Sequence, residues 1–185
     1  DLTCVGGPAY AFNRWADGIT DNPRTITIGA NNHYTAIFTR TTELAPRRLK
    51  LWERDLGGSD YETLSRVVPT TDGGYLLAGS SASGATGNKL LKGFGNADSW
   101  LVKLDAHGST QWEQVFGGSQ SDILGDAQQT ADGGFILAGN SSSGLEGNKT
   151  TPSFGGADFW LLKLDASGRK VWEQTFGGTG QDVAS

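Results

Sequence analysis

The chain has few of the residues that usually carry redox, metal or nucleic-acid chemistry. Its 185 residues include one cysteine, two histidines and no methionine. Cys4, being single, excludes an internal disulfide. His33 and His107 stand in unrelated sequence contexts, with no ligand partner at metal-binding spacing. No catalytic triad of Ser, His and Asp can be assembled from the pattern.

Charge and long apolar runs are also scarce. Charged residues make up 19 % of the chain, the net charge is −5, and the basic residues are scattered. This distribution argues against a nucleic-acid partner, which needs a concentrated basic surface. No apolar run reaches the roughly 20 residues that a membrane-spanning helix requires. The 28 glycines and six tryptophans, together with many Ser and Thr residues, favour a turn-rich β protein that is extracellular or at the cell surface.

The most informative feature is an internal repeat with a period of sixty residues. Residues 51–110 and 111–170 align without a gap and are identical at about half of their positions. Residues 171–185 begin a third copy. A fixed period of this length indicates one supersecondary unit used several times, each burying its apolar face against a neighbour.

Each unit is predicted to contain four strands. An Asp-Gly pair between two apolar runs, such as Asp132-Gly133, is a strong hairpin signal because the turn needs a positive φ. The predicted strands are 65–69, 75–80, 99–104 and 110–116 in the first unit, and 126–130, 135–140, 158–164 and 170–176 in the second.

Four antiparallel strands per repeat are the sequence signature of a β-propeller blade. The motifs D-G-G-[YF]-x-L-A-G-x-S-x-S-G, A-D-x-W-L-x-K-L-D-A-x-G and W-E-Q-x-F-G-G resemble the sixty-residue propeller repeats of large secreted proteins from Bacteroidota and some archaea. The resemblance implies an all-β fold: a partial β-propeller of two four-stranded blades plus the start of a third. The remaining blades of a longer parent chain are then expected partners.

Residues 1–39 have a different pattern. Alternating apolar residues predict three short strands, around Tyr10, Ile26 and Tyr34. The phrase F-x-x-W-x-D-G-x-T-x-N-P-R-T-x-T-I resembles the C-terminal part of the β-grasp-like, internalin-type B-repeats of bacterial surface proteins. The resemblance implies that the first strands of this module precede Asp1. Trp15 is expected to lie in a core, as are the repeated tryptophans. Residues 40–50 are expected to form a polar linker to the repeats at 51–185.

Two repeated aspartates are the candidates for a metal site. Asp98 and Asp158 precede the third strand of each unit, in glycine-rich surroundings where carboxylate and carbonyl oxygens suit calcium. The competing interpretation is that they cap turns by binding nearby backbone N–H groups. No D-x-D-x-D-G spacing concentrates carboxylates in one loop, so we favour turn capping.

Other repeated side chains are candidates for binding. Trp100 and Trp160 could stack on a sugar, but their recurrence favours packing between neighbouring units. The repeated G-N-K of the long loop places Asn88, Lys89, Asn148 and Lys149 where binding residues are common.

Glu113 and Glu173 recur on the fourth strand. We expect these two carboxylates on its exposed face.

The sequence therefore predicts a non-catalytic repeat scaffold of a secreted or cell-surface bacterial protein. Its role would be adhesion or contact with a protein or a carbohydrate, without a cofactor other than possible calcium. The alternative is a fragment of a propeller enzyme, a glycan hydrolase or a quinone-dependent dehydrogenase, whose active site lies mostly outside this segment. The near-uniform repeats favour the scaffold, because catalytic propellers usually carry polar residues specific to one blade.

Overall fold

A computed structural model describes residues 10–15, 36–40 and 51–182. The chain divides into two compact units, Asp1–Lys50 and Leu51–Ser185. In the first, strands β1 (Tyr10–Trp15) and β2 (Ala36–Arg40) pair antiparallel. The linker was predicted at 40–50, but Arg40 is the last residue of β2. The strand predicted around Ile26, the packing of the Trp15 side chain and residues 41–50 lie outside the described residues.

The second unit consists of two four-stranded antiparallel sheets, which confirms the all-β class. The strands of each sheet lie side by side in chain order. Among the described residues there is no helix, and hence none that is long and apolar enough to cross a membrane. The first sheet contains β3 (Glu62–Pro69), β4 (Tyr75–Ser81), β5 (Asp98–Leu104) and β6 (Thr110–Phe116); the second contains β7 (Asp122–Gln129), β8 (Phe135–Ser141), β9 (Asp158–Leu164) and β10 (Lys170–Phe176).

All eight predicted strands of the repeats are present, but the first strand of each sheet begins earlier than predicted. Strand β3 starts at Glu62 instead of Ser65, and β7 starts at Asp122 instead of Asp126. The pairing register shifts between Leu64 and Arg66, and between the equivalent residues of β7. A bulge of this kind inserts an extra residue and breaks the period-two alternation on which the prediction depended.

The Asp-Gly hairpins form as predicted. Gly73 and Gly133 have φ angles of 81° and 79°, in the left-handed region. In the second sheet, the N–H of Thr130 donates to the Gly134 carbonyl at 2.9 Å. The Asp132 carboxylate accepts the N–H of Gly134 at 3.0 Å and the ammonium of Lys163 at 2.9 Å. The turn is therefore fixed by its backbone conformation and by its aspartate.

The two sheets pack face to face around one apolar core. Strand β7 lies against β3, β4 and β5 of the first sheet. Buried residues of both sheets form the cluster: Val68, Leu76, Ala78, Leu101 and Phe116 from the first, and Leu124, Ala127, Phe135, Leu137, Trp160, Leu162 and Leu164 from the second.

Backbone groups of β7 form hydrogen bonds with side chains of the first sheet. The Leu124 N–H donates to Ser80 Oγ at 2.9 Å, and its carbonyl accepts from Ser65 Oγ at 2.6 Å. Ser99 Oγ donates to the Asp122 carbonyl at 3.0 Å. These bonds satisfy backbone groups that burial would otherwise leave unpaired, and they fix the position of one sheet on the other.

Trp112 of β6 also reaches across the interface. Its ring meets that of Phe135 edge to face, with centroids 5.8 Å apart. Trp52, which precedes the first sheet, makes the same contact with Tyr75 at 5.8 Å. Trp172, the third member of the series, is 45 % exposed.

We predict that Trp160→Ala will lower the free energy of unfolding by about 3–5 kcal/mol, as expected when a large side chain is removed from a core. Trp160 is 1 % exposed. Trp172→Ala is the matched control, and its cost should be smaller, about 1 kcal/mol, because Trp172 is 45 % exposed. Urea unfolding of both variants gives the comparison. Equal losses would contradict the packing of Trp160 described above.

A second prediction concerns the hairpin turns. Gly133→Val should strongly destabilise the fold, because Gly133 has a φ of 79° that a β-branched residue adopts only under strain. Gly144→Val is the control, since an added Cβ there meets no atom within 4 Å. Thermal unfolding followed by circular dichroism measures both. A Gly133→Val variant as stable as the control would disprove the turn assignment.

Candidate functional site

The candidate site is the pair of long loops, residues 82–97 and 142–157, that join the second and third strands of each sheet. Asp98 holds the first loop: its Oδ2 accepts the N–H groups of Phe94 at 2.7 Å and Gly95 at 3.2 Å. Asp158 holds the second through the N–H of Phe154 at 2.7 Å. The turn-capping interpretation of both aspartates is confirmed.

The second oxygen of each aspartate is unusual. Asp98 Oδ1 and Asp158 Oδ1 are buried and have no hydrogen-bond partner. Asp98 Oδ1 lies against Gly117, where it would be only 2.0 Å from an added Cβ, and Asp158 Oδ1 lies in the same way against Gly177. A glycine at this position therefore lets the carboxylate approach the backbone more closely than a residue with a Cβ would allow.

Burial raises the pKa of Asp98, and the negative charge of Asp122 raises it further. Among the described residues no group of three or more His, Cys, Asp or Glu side chains could hold a metal ion. Calcium binding at Asp98 and Asp158 stays a prediction.

Lys89 and Lys149 lie inside the molecule, only 2 % and 3 % exposed, instead of on the loop surface where we expected them. The Lys89 ammonium donates to the carbonyls of Ser83 and Leu91 and lies 5.9 Å from the centre of the Trp100 ring. The Lys149 ammonium donates to the carbonyl of Thr151 and lies 5.9 Å from the centre of the Trp160 ring. Burial lowers the pKa of both lysines. Each lysine supplies the donors that loop carbonyls need, so the geometry favours a structural role.

Glu113 and Glu173 are also turned inward, which corrects the expectation that they are exposed. The indole N–H of Trp100 donates to Glu113 at 2.9 Å, and that of Trp160 donates to Glu173 at 3.1 Å. Glu113 also accepts the backbone N–H of Leu91 at 3.1 Å. A buried indole N–H needs an acceptor, and this carboxylate provides one while it holds the loop.

Trp100 and Trp160 are 8 % and 1 % exposed and belong to apolar clusters. The cluster of Trp160 contains residues of both sheets, as packing between neighbouring units requires, whereas that of Trp100 contains residues of the first sheet together with Leu56. Their faces are not open to a sugar in this conformation.

Asn148 ties its loop to the end of β6. Its Nδ2 donates to the Val115 carbonyl at 2.7 Å, and its Oδ1 accepts the N–H of Gly117 at 2.9 Å. Asn88 makes the equivalent bonds to residues 55 and 57. The side chains of the candidate binding residues in the G-N-K motif thus form hydrogen bonds within the protein.

Sequence reasoning missed two exposed aromatic residues in the loops. Phe94 and Phe154 occupy the same position in each repeat and are 45 % and 51 % exposed. Their backbone N–H groups are those held by Asp98 and Asp158, so the rings project from fixed points. The repeated F-G dipeptide in each loop is the sequence signal that could have pointed to these two residues.

No family model matches the chain. The chain is 28 % identical over 144 residues to the regulatory protein FlaEY of Caulobacter vibrioides. That match covers 73 % of this chain, and the chain spans only 15 % of the length of that relative.

We predict opposite pH dependences for two aspartates. The pKa of Asp98 is raised in the folded state. The folded protein therefore loses stability as the pH rises above about 3.9, the pKa of an Asp side chain in the unfolded chain. Asp98→Asn should therefore gain stability relative to the wild type from pH 4 upward. The measurement is urea unfolding at a series of pH values from 3 to 8.

Asp72→Asn is the control with the reverse sign. A hydrogen bond from Lys103, chiefly, lowers the pKa of Asp72. The stabilisation by this carboxylate is present above about pH 3.9 and is lost as pH falls further. The Asp72→Asn variant should accordingly be less stable than the wild type at pH 7, with the difference shrinking in acid. Parallel profiles for both variants and the wild type would contradict the assigned shifts.

Proposed function

We propose that residues 51–182 are neighbouring blades of a β-propeller in a secreted or cell-surface bacterial protein, where they act as a non-catalytic scaffold for contact with a protein or glycan. One observation carries the proposal. The repeated polar side chains that could perform chemistry, such as Lys89, Asp98 and Glu113, instead form hydrogen bonds with the backbone of the loops.

The stacking of the sheets supports the assignment as blades. Each is a four-stranded antiparallel meander, and the first strand of one lies across the face of the sheet before it. Radial repetition of such sheets is the propeller architecture. The equal contacts of Trp52 and Trp112, at 5.8 Å to their aromatic partners, support a regular step from one sheet to the next.

The contact surface we propose is the loop edge that carries Phe94 and Phe154. Each loop also contains an exposed leucine, Leu90 in the first loop and Leu145 in the second. Repeated aromatic side chains on a rigid scaffold suit a recognition surface, because little side-chain entropy is lost on binding. A scaffold of this kind would fit a regulatory protein, the description carried by the relative named above.

We expect the protein to bind a glycan on an array, with or without calcium, and the double variant Phe94→Ala/Phe154→Ala to weaken that binding by more than about tenfold. Surface plasmon resonance with the recognised glycan measures the loss. Val171→Ala is the control, because Val171 is an apolar residue that is 61 % exposed and belongs to strand β10 instead of the loops.

Two outcomes would count against glycan contact at this edge: no binding under either condition, or equal binding by the double variant and the control. The stacking of blades has its own test in the unmodified chain. Nuclear Overhauser contacts between the rings of Trp112 and Phe135 are expected in solution, and their absence would remove the basis for the propeller.

A further inference from the structure

Asp98 and Asp122 bring two carboxyl groups together where the two sheets meet. We call this region the seam; it comprises the first residues of β5 and β7 and the links 93–97 and 117–121 that precede them. The Asp122 N–H donates to the Ala97 carbonyl at 2.7 Å. Asp98 and Asp122 are only 1 % and 0 % exposed. Both carboxyl groups are therefore held inside the protein, and a backbone hydrogen bond joins their strands.

One point in the seam is close to both side chains. A Cβ added to Gly117 would lie 2.0 Å from Asp98 Oδ1 and 2.7 Å from Asp122 Oδ2. The two oxygens therefore lie beside the same glycine Cα. Two negative charges so close together repel strongly inside a protein, because the interior screens charge less than water does.

Hydrogen bonds distinguish the two carboxyl groups. Asp122 accepts the Ser141 hydroxyl at Oδ1. Its Oδ2 accepts the Gly118 N–H and the Ser143 hydroxyl, each at 2.7 Å. Asp98 accepts two backbone N–H groups at Oδ2, whereas its buried Oδ1 has no donor. A proton on Asp98 Oδ1 would remove this mismatch, because the oxygen would then donate to Asp122 Oδ2.

We propose that Asp98 and Asp122 form a carboxyl–carboxylate pair in mild acid, with one proton held on Asp98 Oδ1 and donated to Asp122 Oδ2, and that this proton makes the seam a pH-sensitive joint between neighbouring units. The proton replaces the repulsion of two charges by a hydrogen bond to a charged acceptor, which is stronger than one between neutral groups. When the proton is lost at higher pH, the repulsion returns and the seam weakens.

The other charged groups near the seam do not supply a donor to Asp98 Oδ1. The charge of Lys89 lowers the pKa of Asp98, but burial raises it by more. Lys89 and Lys149 donate to loop carbonyls, Glu113 accepts N–H groups of the first loop, and Glu146 accepts the hydroxyl of Ser119. The need of Asp98 Oδ1 for a proton is therefore left to the pair itself.

Glu62 provides a comparison within the chain, because it stands in the first repeat where Asp122 stands in the second. The residue 24 positions before it, which is Asp98 in the case of Asp122, is Phe38. Burial acts to raise the pKa of Glu62, but hydrogen bonds from Ser83, Ser81 and the Gly58 N–H together lower it. A carboxylate in these surroundings is thus stabilised as the charged form, which supports Asp122 as the charged member of the pair.

The arrangement recurs sixty residues later. A Cβ added to Gly177 would lie 2.0 Å from Asp158 Oδ1 and 2.9 Å from Asp182 Oδ2. Asp158 Oδ1 is buried without a donor, and Asp182 Oδ2 accepts the Gly178 N–H at 2.7 Å. The pairing of an orphan oxygen with a bonded carboxylate therefore belongs to the repeat and is not an accident of one loop.

Carbon-13 NMR of the carboxyl groups, in protein labelled at aspartate, measures the titration of Asp98. The signal that disappears in Asp98→Asn assigns it. We expect the midpoint of the Asp98 titration to move to lower pH in Asp122→Asn, because the neighbouring negative charge is gone. Asp126→Asn is the matched control, since the Asp126 side chain lies on the same strand and is 66 % exposed. An Asp98 midpoint that Asp122→Asn leaves unchanged would overturn the proposal.

Calcium is the competing occupant of the orphan oxygen. The wild-type titration is therefore repeated with added calcium chloride and with EDTA. We expect the same Asp98 midpoint in both. A midpoint that calcium lowers would replace the proton by a metal ion and overturn the proposal.

Asp98→Asn keeps the proposal testable if Asp122→Asn does not fold. The introduced amide would donate permanently where the proton is proposed, so its N–H protons should exchange slowly and show Overhauser contacts to Ser143. Rapid exchange of this amide with water would contradict the pair.

Hydrogen exchange at Phe94 and Gly95 tests the joint itself, because Asp98 Oδ2 holds both N–H groups. Their protection in the wild type, divided by that in Asp98→Asn at the same pH, should fall as pH rises from 4 to 8. A ratio that stays constant would show that the proton does not control the seam.

Discussion

The structure depends on the cover that neighbouring segments give to the faces of each sheet. In β5 all seven residues are buried, because the second sheet covers one face and residues 51–58 lie over the other. In β9, whose sequence is closely similar, buried residues alternate with exposed or partly exposed ones. An antiparallel sheet with one open face shows that alternation, and one with two covered faces loses it. The neighbouring unit is therefore part of the core of each sheet.

This constraint explains why so many recurring polar residues serve the loops. The connections of residues 82–97 and 142–157 are long and contain no strand, so their backbone groups need partners from elsewhere. Asp98 and Lys89 form hydrogen bonds with backbone groups of the first loop. Asn88, itself in that loop, ties the loop to the backbone of residues 55 and 57. Their recurrence at a period of sixty residues is thus explained by the architecture.

Much of the fold could be predicted from the sequence, because period, turn and strand signals are local. The Asp-Gly hairpin at Gly133 is an example, since a single backbone requirement selects the residue. The inward positions of Lys89 and Glu113 could not be predicted. Their partners lie up to 23 residues away, and the fold alone brings them together. The exposed Phe94 was missed for a related reason, because hydrophobicity predicts burial only where a neighbour exists to cover the side chain.

The tryptophans show most directly that a residue's exposure is set by its neighbours. Trp112 is half-buried because its ring packs against Phe135 of the following sheet, whereas Trp172, in the same sequence motif, is 45 % exposed. The same contrast separates Leu124 from Leu64. Each face of a repeat sheet thus supplies the apolar residues for one side of an interface. A neighbouring unit supplies the other side and completes the core. For this reason stability in such proteins accrues through contacts between neighbours, and a segment such as 51–58 can partly cover a face without a complete sheet.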